Sequence, residues 1–173
     1  IEASRNAEFI VFPDRERAAM LIKENSLEGI DPVFMPVSPS ALPEVSGSDY
    51  LREKFAISDG KTIVIHSGAF SGWTYARELI ESLAAWPDGF VLVVHLRHDP
   101  DDYLRKLMDT VTTDNVIFST VPCDDITYNR MLASADIGLA LYKPVYPGLY
   151  VGRNLETIGL SSGKLSYYMK CSI

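Results

Sequence analysis

Three stretches of this chain are almost wholly apolar and are separated by segments of helical period, and this alternation restricts its fold more than any other feature. The stretches are KTIVIHSG (61–68), FVLVVHL (90–96) and NVIFSTV (115–121). Strands that are apolar on both faces belong to parallel sheets, because helices cover both sides of such sheets. The alternation predicts an α/β protein with a doubly wound parallel sheet, that is, a Rossmann-like domain.

The segments between the strands have the spacing of amphipathic helices. In residues 73–86, Ala76, Leu79, Ile80 and Leu83 fall on one helical face. Further elements are predicted as helices over 101–111, over 125–135 and from 161 onward, and as a strand over 136–142.

The first 49 residues differ in composition from the rest. EFIVF (8–12) and PVFMPV (32–37) are predicted strands on either side of a helix that begins after Pro13-Asp14, and residues 38–49 have the Pro, Ser and Gly content of a connection. We therefore predict that residues 1–49 are the end of an N-terminal domain and an interdomain linker. Residues 50–173 would form the Rossmann-like domain, beginning with a short helix over 50–57.

Charge and cysteine content exclude some classes of function. The net charge of -7 argues against broad binding to the phosphate backbone of nucleic acids. Two distant cysteines, without CxxC spacing, indicate free thiols in a reducing compartment. No signal peptide and no apolar run of about 18 residues is present. Since the chain starts with Ile1 and stops just after a patterned helix, we expect it to be part of a longer protein.

Ligands of doubly wound domains bind at the carboxyl ends of the strands, which directs attention to the loops there. In HSGAFSGW (66–73), Gly68, which follows Ser67, and Gly72 flank a strand-to-helix turn. Glycines there let the backbone approach an anion at a helix N-terminus, but the loop taken alone favours a plain tight turn. The loop is not GxGxxG. At the end of the predicted strand 115–121, main-chain groups of Thr120 and Val121 can read the edge of a base. The alternative is that the loop simply leads to a capped helix.

A long irregular loop follows the predicted strand 136–142. The stretch YKPVYPGLYVGRN (142–154) contains Lys143, and such loops at strand ends are more often functional than not. The alternative is a solvated insertion.

The stretch GLSSGKLSYYMKC (159–171) suggests a phosphate site but is not a Walker A loop. That motif would require glycine at Ile158 and Ser or Thr at Leu165. Ser162 is instead a suitable N-cap, which places Gly163 and Lys164 in the first helical turn. A lysine there opposes the helix dipole, a conflict that a bound phosphate would resolve; the alternative is a lysine that points to water.

The histidines do not indicate a metal site. His66 and His95 lie in or at the ends of apolar strands, as expected of core-edge groups, and the histidine spacing matches no zinc motif. HDPDD (98–102) is predicted to be an Asp-rich helix start, with a metal site as the weaker alternative.

The order of these segments resembles the glycosyltransferase group 1 family (family 4) of GT-B architecture. The segments that carry the likeness are KTIVIHSGAFSGW, NVIFSTVPCDDITYNRMLASADIGLALY and GLSSGKLSYYMKC, with FIVFPDRERAAMLIKEN and PVFMPVSPS resembling the end of the N-terminal domain and the crossing linker. The resemblance implies that the chain is the donor-binding half of a retaining enzyme that uses a nucleotide-diphosphate sugar. It implies no cofactor and no metal.

The resemblance also implies roles for particular residues. Gly68 and the preceding Ser67 would approach the donor phosphates, Thr120 and Val121 the base, and Lys164 with the Ser162–Gly163 amides the diphosphate. Lys143 is assigned to the same site from its loop. Gly159 and Tyr167 stand where the family usually has glutamates, so Tyr167 occupies the position that holds the ribose.

Partners and alternatives follow from the same resemblance. We expect a nucleotide-sugar donor, a saccharide or lipid-linked acceptor and the missing N-terminal domain of the same chain as partners, and neither nucleic acid nor a transmembrane segment. A cytoplasmic location is expected, with a peripheral position at the inner membrane face left open. The alternatives are a non-catalytic or degenerate GT-B-like binding module and a sugar-nucleotide epimerase, although no pair of acid/base carboxylates is evident.

Overall fold

The computed structural model describes residues 6–39, 47–144, 157–159 and 162–173, which form two parallel sheets with helices. The strands are β1 (Phe9–Phe12), β2 (Asp31–Phe34), β3 (Thr62–Ser67), β4 (Phe90–His95), β5 (Val116–Ser119) and β6 (Ile137–Gly138). The helices are α1 (Arg15–Asn25), α2 (Tyr50–Phe55), α3 (Ala76–Ser82), α4 (Asp102–Met108), α5 (Asp125–Leu132) and α6 (Gly163–Cys171).

The larger sheet has four parallel strands in the order β5-β4-β3-β6, and β1 pairs with β2 in a separate parallel sheet. Starting from β3, the strands β4 and β5 are added on one side, and β6 is added on the other side. The chain therefore reverses its direction of winding between β3 and β6, which is the topological switch point where doubly wound domains bind ligands. The two-stranded sheet lies within the predicted segment 1–49, and the four-stranded sheet lies within 50–173.

Apolar side chains cover both faces of the larger sheet. Alternate residues of β3 point to opposite sides, so that Ile63 and Ile65 join one buried cluster and Val64 joins the other. The first cluster includes residues of α2, α5 and α6, and the second includes residues of α3 and α4. This arrangement confirms the predicted Rossmann-like α/β class, and it explains why β3 and β4 read as continuous apolar runs.

Side-chain caps fix where several helices begin. Each cap accepts a hydrogen bond from the backbone N–H three residues later, which satisfies one of the free donors of the first turn. The capping residues are Asp14, Asp101, Asp124 and Ser162. The cap at Asp101 agrees with the prediction that HDPDD is a helix start, and both cysteines are free thiols, as predicted.

The predicted helix over 73–86 is wrong in its extent. Residues Gly72–Thr74 form a 3-10 turn, Tyr75 has a left-handed backbone with φ 59°, and α3 then spans Ala76–Ser82 before a second 3-10 turn. Thr74 is the physical cause: its hydroxyl accepts from the Ser71 N–H at 2.9 Å and donates to nearby carbonyls, which competes with regular helix.

The predicted strand over 136–142 is also too long. Only Ile137 and Gly138 pair with β3, and the Leu139 N–H makes the last bond to it, donating to the Ile65 carbonyl at 2.8 Å. The ring of Tyr168 packs on Gly138, and its hydroxyl reaches the Leu139 carbonyl at 3.2 Å. The α6 side chain thus takes the place of continued strand pairing.

Candidate functional site

A cavity of about 690 Å³ opens at the carboxyl end of β3, beside the switch point of the sheet. Its walls come from the end of β3 and the loop after it, from α5 and α6, and from residues that follow β2, β4 and β6. One residue of α1 and Ile158 complete them. The lining residues are Arg17, Val37, Ser67, Gly68, Ala69, Trp73, Thr74, Arg97, Asp125, Tyr128, Tyr142, Ile158, Ser162, Gly163, Lys164 and Tyr167.

Lys164 places a mostly buried ammonium group in this cavity. It lies in the first turn of α6, and its Nζ is 3.0 Å from Nε2 of the fully buried His66 on β3. Burial lowers the pKa of Lys164 to about 8, so the side chain is still charged at pH 7. Burial, together with the charge of Lys164, lowers the pKa of His66 to about 3. The neutral imidazole therefore accepts the hydrogen bond that the ammonium donates.

Lys164 has no carboxylate partner among the residues that the structure describes. The ion pairs in these ranges belong to other cations, namely Arg52, Arg77, Arg105 and Lys143. A buried cation without an acid is costly, and it also opposes the dipole of its own helix. Within the described ranges, the charge of Lys164 is therefore not neutralised by an acid.

Gly68 brings the backbone of the β3 loop against the lysine. Its φ is +100°, a conformation that favours glycine, and its N–H donates to the His95 carbonyl at 3.0 Å. A Cβ at this position would lie 3.8 Å from Cε of Lys164, which shows that the lysine stem runs alongside Gly68.

One wall of the cavity is aromatic. Tyr142 stacks on Trp73 with ring centroids 5.3 Å apart, and its hydroxyl lies 2.9 Å from Oγ of the N-cap Ser162. The ammonium of Lys164 lies 5.7 Å from the Tyr142 ring centroid. This wall therefore fixes the start of α6 relative to the end of β6.

The opposite wall is built around Tyr128 on α5. Its hydroxyl is 2.9 Å from Oγ of Ser67, and burial raises the pKa of Tyr128. The Arg97 guanidinium lies 5.3 Å from its ring centroid, and the ring of Tyr167 meets it edge-on at 5.3 Å. A second cavity of about 290 Å³, next to Pro122 and Cys123, shares Arg97, Asp125 and Tyr128 with the first.

The structure brings together six of the nine residues predicted for the site. Those that line the large cavity are Ser67, Gly68, Ser162, Gly163, Lys164 and Tyr167. Thr120 and Val121 are not among the lining residues, although they immediately precede Pro122 of the smaller cavity, and Val121 is exposed. Lys143 pairs with Glu78, which raises its pKa, and its backbone N–H donates to the Trp73 carbonyl at 2.8 Å. The ligand contacts of Thr120, Val121 and Lys143 stay predictions. Residues 145–156, which continue the loop after Lys143, lie outside the described residues.

Sequence reasoning missed several lining residues. Arg97 lies two residues after the end of β4, so the same strand-end rule that identified Ser67 and Gly68 could have identified it. Tyr142 lies in the strand-end loop 142–154 that the sequence indicated, but it was not assigned to the site. Arg17 and Tyr128 carried no such signal, because their place at the cavity depends on tertiary contacts.

The described ranges contain neither a metal-binding cluster nor a helix that could span a membrane. No group of three or more His, Cys, Asp or Glu side chains there is arranged to hold a metal ion. In the same part of the chain, every helix is too short or too polar to cross a membrane.

Comparisons with known proteins show the fold. The chain matches no protein-family model and no curated protein sequence. Its structure is similar to that of sucrose-phosphate synthase from Thermosynechococcus elongatus, with 16% identity and a TM-score of 0.61 over 79% of this chain and 35% of that one. It is also similar to HepE of Anabaena, solved in complex with UDP and glucose, with 19% identity and a TM-score of 0.59 over 79% of this chain and 38% of that one. The chain therefore spans little more than a third of the length of these glycosyltransferases.

Proposed function

We propose that this chain is the donor-binding domain of a glycosyltransferase of GT-B architecture and that its large cavity holds the diphosphate of a nucleotide sugar. The observation that carries the proposal is Lys164: a charged lysine with no acid partner among the described residues, in the first turn of a helix, at the switch point of a parallel sheet. An anion between the ammonium and the free N–H groups of α6 would relieve both the burial of the charge and its conflict with the helix dipole.

The proposed reaction uses the same groups. When a sugar leaves its nucleoside diphosphate, negative charge develops on the phosphate oxygen that loses the sugar. The Lys164 ammonium and the amides at Gly163 would stabilise this charge more strongly in the transition state than in the ground state. At Gly68, the backbone of the loop after β3 would approach the donor phosphates closely. The chemistry is proposed to proceed with retention at the sugar and without a metal, so that nucleotide affinity should be equal in EDTA and in Mg²⁺.

The nucleoside would lie toward Tyr128, Arg97 and the smaller cavity. Aromatic and guanidinium groups offer faces on which a base can stack, and Thr120 and Val121 would offer main-chain groups to its edge. Because HepE was solved with UDP and glucose, UDP and a hexose are the first donor components to test.

The wider activity belongs to the proposed full-length protein. A cytoplasmic enzyme of glycan biosynthesis would add an N-terminal domain that binds a saccharide or lipid-linked acceptor. Transfer should therefore be assayed with the full-length protein, whereas donor binding can be assayed with this chain.

Calorimetric titration of the chain with UDP, GDP and ADP tests the binding step. One of these ligands should bind, and Lys164→Ala should weaken it by about 10- to 150-fold, the range of a charged hydrogen bond of about 1.5–3 kcal/mol. Lys106→Ala is the matched control, because it removes an exposed lysine of α4 that does not line the cavity. Equal loss in both variants, or none in either, would contradict the role of Lys164.

A non-catalytic binding module is the second candidate. It is favoured by Gly159 and Tyr167, which stand where the similar family carries glutamates; Tyr167 lines the cavity and Gly159 is exposed. Nucleotide binding without sugar transfer by the full-length protein would select this candidate. An epimerase is disfavoured because Asp125 is the one carboxylate among the described lining residues, whereas proton transfer on a sugar requires positioned acid and base groups.

A further inference from the structure

The side chain of His66 has a contact that its place in the sheet does not require. It lies near the end of β3, is fully buried, and directs Nε2 to the Lys164 ammonium at 3.0 Å, across 98 positions of sequence. Nδ1 is also buried and has no hydrogen-bond partner among the described residues. A valine, like the paired Val94 of β4, would satisfy the apolar surroundings at lower cost.

We propose that His66 is a positioning residue for Lys164: its imidazole holds the ammonium beside Gly68 and leaves the positive charge available to a phosphate. A carboxylate in its place would also hold the lysine, but it would cancel the charge. An apolar residue would leave the ammonium without an acceptor in a buried site. Only a neutral acceptor both fixes the position of the Lys164 ammonium and leaves its positive charge available to attract a phosphate. The ligand in this inference rests on the proposed function, whereas the contact does not.

The other charged and titratable groups around the Lys164 ammonium are consistent with His66 as the residue that positions it. Besides His66, which contacts the ammonium from β3, the titratable groups that line the cavity are Arg17 of α1, Arg97 after β4, Asp125 and Tyr128 of α5, Tyr142 after β6 and Tyr167 of α6. The acid among them, Asp125, makes no ion pair with Lys164 in the described ranges. His66 is therefore the contact that sets the position of the ammonium.

Two substitutions separate positioning from simple loss of packing. His66→Gln keeps an acceptor, because the side-chain amide oxygen reaches the position of Nε2, and UDP affinity should stay within about threefold of wild type. His66→Leu removes the acceptor at similar bulk, and affinity should fall about tenfold. Rescue by Gln and not by Leu points to the hydrogen bond. Equal effects of the two substitutions would overturn the proposal.

A double-mutant cycle gives the decisive comparison. In a Lys164→Ala background, His66→Leu should change UDP affinity by less than about twofold, because the group that His66 positions is gone. His95→Leu is the matched control, since this buried imidazole on β4 contacts Ser119 and Cys123 instead of Lys164. Its effect on affinity should be the same with and without Lys164. A full His66→Leu effect that persists without Lys164 would show a structural role only.

The pH profile is a further readout that packing alone would not move. Affinity for UDP should fall above about pH 8 as Lys164 loses its proton. An acceptor stabilises the charged form, so His66→Leu should move this fall to lower pH, and His66→Gln should leave it in place. An unmoved alkaline limb in His66→Leu would contradict the proposal.

NMR of the chain labelled with ¹⁵N-histidine tests the contact without any nucleotide. His66 should stay neutral from pH 5 to pH 8 with Nε2 unprotonated, and the Nε2 shift should change in Lys164→Ala. A protonated Nε2, or a shift indifferent to Lys164→Ala, would overturn the positioning role. An intact contact with no binding of UDP, GDP or ADP would instead overturn the proposed function and leave the contact standing.

Discussion

Replacement of Lys164 by methionine should stabilise the fold while it removes ligand binding. The pKa of this lysine falls from an ordinary value of 10.5 to about 8 because of burial. Below the folded-state value the side chain is charged in both states, and the buried charge costs the folded state about 3 kcal/mol at pH 7. Methionine fills a similar volume without a charge. It also leaves Nε2 of His66 without its donor, which costs about 1 kcal/mol, so the net gain at pH 7 is about 2 kcal/mol.

The pH dependence of this gain identifies its origin. Between the two pKa values the unfolded chain holds more protons than the folded one, so the stability of wild type rises with pH in this window. The advantage of Lys164→Met should therefore shrink by about 2 kcal/mol between pH 7 and pH 9.5, where it is about zero, and should become a small disadvantage by pH 10.5. Cysteines and tyrosines that titrate in the same range are present in both proteins and cancel in the difference.

Urea unfolding at pH 7, 8.5 and 9.5 measures the difference, from midpoints at equal slope. Lys143→Met is the matched control, because this lysine pairs with Glu78 and its pKa is raised instead of lowered. It should give no stabilisation that shrinks as pH rises. A Lys164→Met variant with the same stability as wild type at pH 7, or with a gain that does not depend on pH, would refute the reasoning.

Two further predictions concern the packing that positions α6. Gly138→Ala would place its Cβ 2.7 Å from the Tyr168 ring, so it should lower the free energy of unfolding by about 2 kcal/mol, measured in urea. Tyr168→Phe removes the acceptor of the buried Ser67 N–H, at 3.1 Å, and should cost about 1–3 kcal/mol in thermal unfolding. No change in either variant would show that Tyr168 does not fix the helix against the sheet.

The core of the fold was predictable because its signal is local. The strands β3, β4 and β5 are apolar on both faces, and the caps at Asp124 and Ser162 lie directly before their helices. The errors occurred where a distant residue decides the outcome. The early end of β6 depends on Tyr168, which lies about thirty positions further along the chain and packs on Gly138.

The site follows the same pattern. Ser67 and Gly68 were found because they end a strand, and Lys164 because it follows an N-cap. The pairing of Lys164 with His66 joins two elements far apart in sequence, and no local pattern of residues could indicate it. Sequence reasoning treated His66 as a core-edge group, which describes its burial but not the lysine that it contacts.

A fold shared at 16–19% identity does not assign a function, because doubly wound domains carry many chemistries. What distinguishes this chain is the unfavourable free energy of holding the charged Lys164 side chain in a mostly buried site at a helix N-terminus. A lysine that pointed to water would cost little, but Lys164 is mostly buried beside a neutral imidazole and at the unfavourable end of a helix dipole. Natural proteins retain such local conflicts mainly where function requires them. A polyanion in the cavity would turn each of these costs into an attraction, which is why the surroundings of Lys164, more than the sheet topology, support the proposed function.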